Sequence, residues 1–398
     1  MPHLPAPTLL DDTDPTFWQD AHTPLREARE RHPLARLQAI AAWAVLRHAD
    51  VERLFTDPRL RTAYTGFNEG ALERVLGGFL AAREGADHSR LRALVMRAFT
   101  PRRIELARPF VRAAARRLID ALPAGRPVDF QAAVADPLGA HVIARILGVP
   151  EGDEAVFGAW TGGLMAGMSP LADAGVRAAA EADAVALRAY LGDLAARRRS
   201  RPGDDLLDAL VAAEADGHRL SPEELRDVVM SLMLGGHETV RSVLTVTTWL
   251  ALAHAGTLER LHREPERIPG AVEEVLRYEP PLLGAPRVTT EGLEIGGVAI
   301  PAGARVFLEI AAANRDPRRF TDPDRFDVGR DATHHLGFGR GPHFCVGAAL
   351  ARTEAQELLA VLCEDPTALA LVEPPRWQAF SPARRLETLR VQRSVSGR

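Results

Sequence analysis

Two cysteines occur in the chain, and one of them, Cys345, stands where a thiolate would be stabilised. It lies in Phe338-Gly339-Arg340-Gly341-Pro342-His343-Phe344-Cys345-Val346-Gly347, a loop with three closely spaced glycines, just before a helical run. A helix N-terminus offers partial positive charge and unpaired N–H groups, both of which favour a thiolate. The glycines let the backbone approach something flat and large. Taken alone, the cysteine is either such a ligand or a buried small hydrophobe.

A second chemical spot lies inside a long apolar helical run. Gly235 and Gly236 are followed by His237, Glu238 and Thr239, flanked by Val-Val-Met-Ser-Leu-Met-Leu and Val-Leu-Thr-Val. Each glycine costs about 1 kcal/mol relative to alanine in a helix interior. The segment therefore reads as a local bulge or widened groove with a carboxylate and a hydroxyl available for proton delivery. The other reading is a close helix crossing at the glycines, with Glu238 paired to an arginine. A third pair, Glu274 and Arg277, is spaced three apart on one helix face, which suits an ion pair and is uninformative by itself.

These residues need a scaffold, and its outline is legible. From about Asp87 to Arg277 apolar positions recur at three and four, and Ala, Leu, Arg and Glu dominate. Ser221-Pro222-Glu223-Glu224 forms a capping box that opens the longest helix, expected to run to about His254 and to cross the core. After Pro280 the texture changes. Leu293–Ile295, Gly296-Gly297 and Val298–Ile300 predict a hairpin, Phe307–Ile310 continues as strand, and a loop leads to a helix over Gly347–Leu362. Ala41–Leu46 predicts a strand, and Ala379–Val391 a short terminal sheet. The fold class is mainly α with a small β region, as a single unit over residues 1–398.

Composition sets the outer bounds. The 398 residues are 46% hydrophobic and 26% charged, ample for a globular core. A net charge of −4 gives no reason to expect nucleic acid or a membrane surface as partner. There is no lysine, so all cationic sites are guanidinium or imidazole. Two cysteines make no disulfide framework, and residues 1–30 carry neither a leader-like pattern nor a long apolar stretch, so a soluble, cytoplasmic protein is expected.

In this order and spacing the segments resemble the cytochrome P-450 family. Phe338, Gly341, Cys345 and Gly347 match its heme-loop pattern Phe-x-x-Gly-x-x-x-Cys-x-Gly. Gly235, Gly236, Glu238 and Thr239 match its oxygen-activation pattern, and Glu274 and Arg277 its Glu-x-x-Arg pattern. Pro323-Asp324-Arg325-Phe326 and Asn314-Arg315-Asp316-Pro317 complete the likeness. The resemblance implies the family fold, with the long helix crossing over heme b and Cys345 as axial ligand to the iron. It places His88, Arg92, Arg287 and His343 at the heme propionates, with Gly236, Phe338, Phe344 and Gly347 near the porphyrin. Glu274, Arg277 and Arg325 become a buried structural ion-pair cluster, and Thr239 and Glu238 the catalytic hydroxyl and proton relay. Val240 departs from many relatives, which carry a second hydroxyl there.

The implied activity is a monooxygenase that inserts one oxygen atom from O2 into a hydrophobic small molecule. With no flavin or nicotinamide motif in the chain, electrons are expected from a ferredoxin or flavodoxin, docked on the basic run Arg90, Arg92, Arg97, Arg102 and Arg103. The substrate pocket is expected from residues around Thr62–Leu72, Leu164, Met168, Met233, Leu283 within Leu282–Ala285, Phe307 and Phe380. His334-His335 reads as a loop feature rather than a metal pair. A peroxide-driven peroxygenase, a non-catalytic heme-binding sensor or recruitment module, and an isomerase or dehydratase of the same fold are the rival readings. Retention of Glu238 with Thr239 disfavours them.

Overall fold

The computed structural model describes residues 6–63, 70–150, 152–168, 172–200, 203, 205–215, 217–380 and 383–394. The helices that build the site are α1 (Gly85–Ala98), α2 (Pro101–Asp120), α3 (Asp136–Leu147), α4 (Glu154–Gly167), α5 (Ala174–Ser200), α6 (Pro222–Ala253), α7 (Ile268–Tyr278) and α8 (Ala348–Glu364).

Helix α6 organises the rest. Ser221 caps it by accepting from Glu224 N while the Glu224 side chain returns to the Ser221 N–H, with Pro222 at the first helical position. Its 32 residues reach about 48 Å. Buried side chains occur all round its second half, from Val240 through Ser242, Val243, Leu244, Thr245, Val246, Thr247 and Thr248. A helix apolar on every side must be surrounded, and α3, α5, α7 and α8 all pack on it. One large apolar cluster runs through these helices and takes in Phe338 of the cysteine loop.

The β structure is more extensive than the sequence suggests. Apart from a two-residue ribbon that pairs Glu214–Ala215 with His218–Arg219, the strands in chain order are β1 (Thr8–Leu10), β2 (Leu34–Leu37), β3 (Ala42–Val45), β4 (Leu60–Thr62), β5 (Pro127–Asp129), β6 (Gly284–Thr289), β7 (Leu293–Ile295), β8 (Val298–Ile300), β9 (Arg305–Glu309), β10 (Leu369–Leu371) and β11 (Arg390–Arg393). Six of them form one sheet in the order β1-β2-β3-β9-β6-β4. β7 and β8 form the expected hairpin, with Gly296 and Gly297 at φ +57° and +80°, the left-handed pair a tight turn requires. Ile310 does not continue β9 but begins a short helix, Ile310–Asn314. The terminal sheet is narrower than expected: β11 pairs with β10 and β5, and Trp377 and Leu386 make only a single bridge. Among the described residues no helix is long and apolar enough to cross a membrane.

Candidate active site

The cysteine loop is shaped by two glycines and anchored from below. Gly339 and Gly341 both take φ +69°, and a Cβ on Gly341 would sit 2.6 Å from Thr56 Cγ2. Leu336 N donates to Asn314 Oδ1 (2.7 Å), Gly337 N to His335 Nδ1 (2.9 Å), and Cys345 N to Phe338 O (3.0 Å). Cys345 is exposed although Phe338 and Ala348 around it are buried, so its thiol faces open space within an apolar surround. Burial pushes this thiol up. The N–H groups of Gly347 and Ala348 and the guanidiniums of Arg92 and Arg352 pull the other way.

Behind the loop lies the ion-pair support. Arg277 and Glu274 are fully buried and bidentate, Nε to Oε2 at 2.6 Å and Nη2 to Oε1 at 2.8 Å. Arg277 also donates to the carbonyls of Asn314 (2.9 Å), Pro323 (2.8 Å) and Arg325 (3.3 Å). The expectation for Arg325 needs correction. Its side chain is 69% exposed and pairs with Asp327 (3.0 Å), so only its carbonyl joins the cluster. The third charged member is Arg330, whose Nε reaches Glu274 Oε1 at 3.2 Å. The turn at residues 322–330 brings Arg330 back towards α7 while Arg325 points to water.

A further supporting residue went unnoticed in the sequence. Glu273 holds Arg352 bidentately (2.7 and 2.8 Å) and His335 (3.0 Å), and Arg352 lies over the Phe338 ring at 4.5 Å. Burial would raise the Glu273 carboxyl, yet Arg352 and His335 hold it down to about 2. Its only sequence signal is adjacency to Glu274.

The four cationic residues singled out in the sequence converge from three elements. His88 and Arg92 share a face of α1. Arg287 sits in β6, with Thr62 of β4 and Val306 of β9 as its register partners. His343 comes from the cysteine loop and stacks on His88, ring centroids 4.2 Å apart. Glu84 binds His343 Nε2 (3.3 Å) and accepts from Thr62 N (2.6 Å) and Oγ1 (3.0 Å). Burial and the neighbouring His343 and Arg92 lower His88 to about 4. Burial also lowers His343, with Arg287 and Arg92 adding to the effect against Glu84. Both rings are therefore neutral near pH 7, and the charge is carried by two guanidiniums. Among the described residues Arg92 has no carboxylate partner, and His343 Nδ1 is buried without a hydrogen bond. The Arg92 guanidinium without a carboxylate partner, a second guanidinium at Arg287, an orphaned imidazole nitrogen and an open thiol fit a flat dicarboxylate porphyrin. Among the described residues no cluster of three or more His, Cys, Asp or Glu could hold a metal by itself.

The middle of α6 is helical throughout and has no bulge. Thr239 Oγ1 donates back to Gly235 O at 2.5 Å. Gly235 is exposed and a Cβ there would meet nothing within 4 Å, whereas one on Gly236 would meet Ile143 Cδ1 of α3 at 3.5 Å. One glycine thus faces open space and the other a helix contact. Glu238 is 5% exposed, between Arg241 (3.1 Å), Arg385 (2.8 Å) and His237 (3.6 Å). Burial would raise its carboxyl, but these neighbours hold it down to about 2.

The expected substrate-pocket residues divide. Met233 and Leu164 are fully buried in the helical cluster and do not line open space. Met233 is two residues from Gly235, about 200° round the helix, so it must point into the core when Gly235 points out. Leu232, at i−3, is half-buried and on the open side. Met168 is half-buried against the helical cluster. Leu283 and Phe307 instead pack on the cluster of N-terminal strands, and Phe380 lies 5.6 Å from Trp18. Residues 64–69 of the expected Thr62–Leu72 wall lie outside the described residues.

The basic run also divides. Arg90 is tied to Asp87 and Glu224, and Arg92 turns inward, while Arg97, Arg102 and Arg103 are exposed.

The family model for cytochrome P-450 matches residues 187–364. Cytochrome P-450 107B1 of Saccharopolyspora erythraea is 38% identical over 399 residues, covering 95% of this chain and 96% of the relative. The vitamin D(3) 25-hydroxylase of Pseudonocardia autotrophica is 37% identical over 364 residues, 89% of each. Among solved structures, the PksS cytochrome of the Bacillus subtilis 168 bacillaene polyketide synthase superposes with a TM-score of 0.89 at 32% identity. It covers 97% of this chain and 100% of its own.

Proposed function

The chain belongs to the cytochrome P-450 family and is a heme b-dependent monooxygenase, and from that premise we propose how its own residues divide the work. Heme bound in this cradle would supply the redox-active iron for the oxygen chemistry. Cys345 would provide the thiolate that holds the iron, its anionic form favoured by the Gly347 and Ala348 N–H groups and the Arg92 and Arg352 charges against the burial that raises the thiol. Arg92, Arg287, His88 and His343 orient the porphyrin through its propionates. Phe338, held under Arg352, shields the thiolate from water. Glu274, Arg277 and Arg330 are structural and fix the loop from behind. Thr239 offers its hydroxyl on the open face of α6, and Glu238 moves protons towards it from solvent. The unit spans residues 1–398.

The observation that carries this reading is the convergence of two guanidiniums, Arg92 and Arg287, and two neutral imidazoles, His88 and His343, beside an open cysteine. The substrate is a hydrophobic small molecule, in the range of terpenoid, steroid, fatty acyl or aromatic compounds. Support comes from the apolar open face of α6 at Leu232 and Gly235, and from a relative that hydroxylates vitamin D(3). Electrons come from a separate ferredoxin or flavodoxin. Exposed Arg97, Arg102 and Arg103 suit an acidic donor, and the reaction takes place in the cytoplasm.

The test supplies the purified protein with a surrogate ferredoxin, its reductase, NADPH and a panel of hydrophobic compounds. Product should require the electron donor and O2. Glu238→Gln and Thr239→Ala should each lower product formed per NADPH by about 10-fold or more, electrons being diverted to hydrogen peroxide. Equal product from peroxide alone, unaffected by either substitution, would replace this reading with a peroxygenase.

A further inference from the structure

Glu238 and Thr239 are adjacent in sequence but point about 100° apart round α6. Thr239 folds its hydroxyl back onto Gly235 at the open face, while the Glu238 carboxylate is turned towards α3 and the C-terminal segment. Delivering a proton to the Thr239 side requires Glu238 to leave that grip. What governs the grip is therefore part of the reaction, and the structure holds a group placed to do so.

Asp136, the first residue of α3, forms an ion pair through Oδ1 with Arg241 Nε. Arg241 Nη1 simultaneously donates to Glu238 Oε1. Gln131, with its amide oriented to satisfy the network, accepts from Arg241 Nη2 at 3.2 Å and donates to Leu386 O at 3.2 Å. One guanidinium thus serves two carboxylates and an amide. Exposure falls steadily along the series: 29% for Asp136, 17% for Arg241 and 5% for Glu238. The outer carboxylate is reached by solvent and the inner one is not. The charged groups acting on Asp136 are Arg241, His237 and Glu238 of α6, and Arg385 of the C-terminal segment.

We propose that Asp136 is a positioning residue for proton delivery: ionised, it competes with Glu238 for Arg241 and loosens the inner carboxylate, and protonated, it yields Arg241 to Glu238 and locks it. Neither carboxylate gains or loses a bond to the substrate in this step. Protons move only between solvent and the two side chains. Burial raises the Asp136 carboxyl to about 6, which places the switch within the working range of a cytoplasmic enzyme. The inference rests on Glu238 serving the reaction, which the turnover of Glu238→Gln tests by itself.

The test of the switch needs no substrate. Infrared difference titration of the ferric holoprotein follows a protonated carboxyl band that disappears in Asp136→Asn, and a carboxylate band that disappears in Glu238→Gln. The expected result is that the Glu238 band shifts as pH crosses the Asp136 midpoint near 6. In Asp136→Asn the Glu238 band should stay at its low-pH position at every pH. Asp136→Glu keeps an ionisable partner for Arg241, so it should retain the shift at a moved midpoint, and it serves where the asparagine variant fails to fold. A Glu238 band that ignores the titration of Asp136, or no titration of Asp136 between about pH 5 and 7, overturns the proposal. A failure of the Glu238 relay would appear separately, as Glu238→Gln turning over like wild type.

Discussion

Replacing Arg277 by methionine removes all five N–H donors of a fully buried guanidinium, each of which has an acceptor. Glu274 is left at 0% exposure with the Asp327 N–H (2.9 Å) and Arg330 (3.2 Å). Removing one partner of a buried pair costs about 3–5 kcal/mol, and each stranded carbonyl adds about 1 kcal/mol of its own. Arg330 stays to offset part of the charge, so about 4 kcal/mol is the expected loss. That is a large share of the 5–15 kcal/mol of a typical domain. In urea, followed by far-UV circular dichroism, it should lower the midpoint by about 1 M at a slope near 3–4 kcal/mol/M. Arg277→Lys keeps the charge but has only three donors and no fork, so an intermediate loss of about 2 kcal/mol is expected. Glu274→Gln/Arg277→Met should recover part of the stability lost in the single methionine variant, because the fully buried carboxylate is gone and Arg330, which then lacks its counterion, is less buried and keeps its carbonyl acceptors. A methionine variant within about 1 kcal/mol of wild type, or a double variant no better than the single, would refute the reasoning.

Two other predictions use different parts of the molecule. Gly235→Ala should stabilise α6 by up to about 1 kcal/mol, since the added Cβ meets nothing within 4 Å. Because that Cβ projects into the open space beside Thr239, hydrophobic ligands should bind about 10-fold more weakly in a spin-state titration. Unchanged affinity would place the substrate elsewhere. The buried His22–Glu279–Arg315–Arg384 cluster predicts acid lability. Burial would raise the Glu279 carboxyl, but His22, Arg384 and Arg315 hold it to about 2, below its ordinary 4.5. Its stabilisation, about 3 kcal/mol, is present above that ordinary value and lost as pH falls through about 2. Burial, then Arg315, lowers His22 from 6.5, so its protonation on unfolding adds to the same loss below that value. Glu279→Gln should be less stable than wild type at pH 7 and should converge with it towards pH 3. A constant gap across that range would contradict the assignment.

What the sequence revealed and what it concealed follow from the range of the interactions. The Ser221 capping box, the Gly296-Gly297 turn and the Glu274–Arg277 pair depend on neighbours within four residues, and each forms where the pattern predicts it. Arg325 and Arg330 are a different case. Both follow the same turn, and only the path of residues 322–330 decides which guanidinium reaches Glu274. The choice between Met233 and Leu232 needed the rotational phase of α6, which becomes readable once Gly235 is known to face open space. β3 and β4 are short and find partners more than 200 residues later, such as Val45 with Leu308, so local periodicity is a weak guide to them. Asp136 and Arg385 carried no motif. They matter because the fold brings them to Arg241 and Glu238 from opposite sides.

The central claim is that Cys345 is the thiolate ligand of a heme held by His88, Arg92, Arg287 and His343. The most direct measurement is the reduced-plus-carbon-monoxide difference spectrum of the purified, heme-loaded protein beside Cys345→Ala. A strongly red-shifted, thiolate-type Soret band in the wild type that is lost in the variant is the predicted result. Its absence from folded, heme-loaded wild type, or its persistence in Cys345→Ala, would contradict the account.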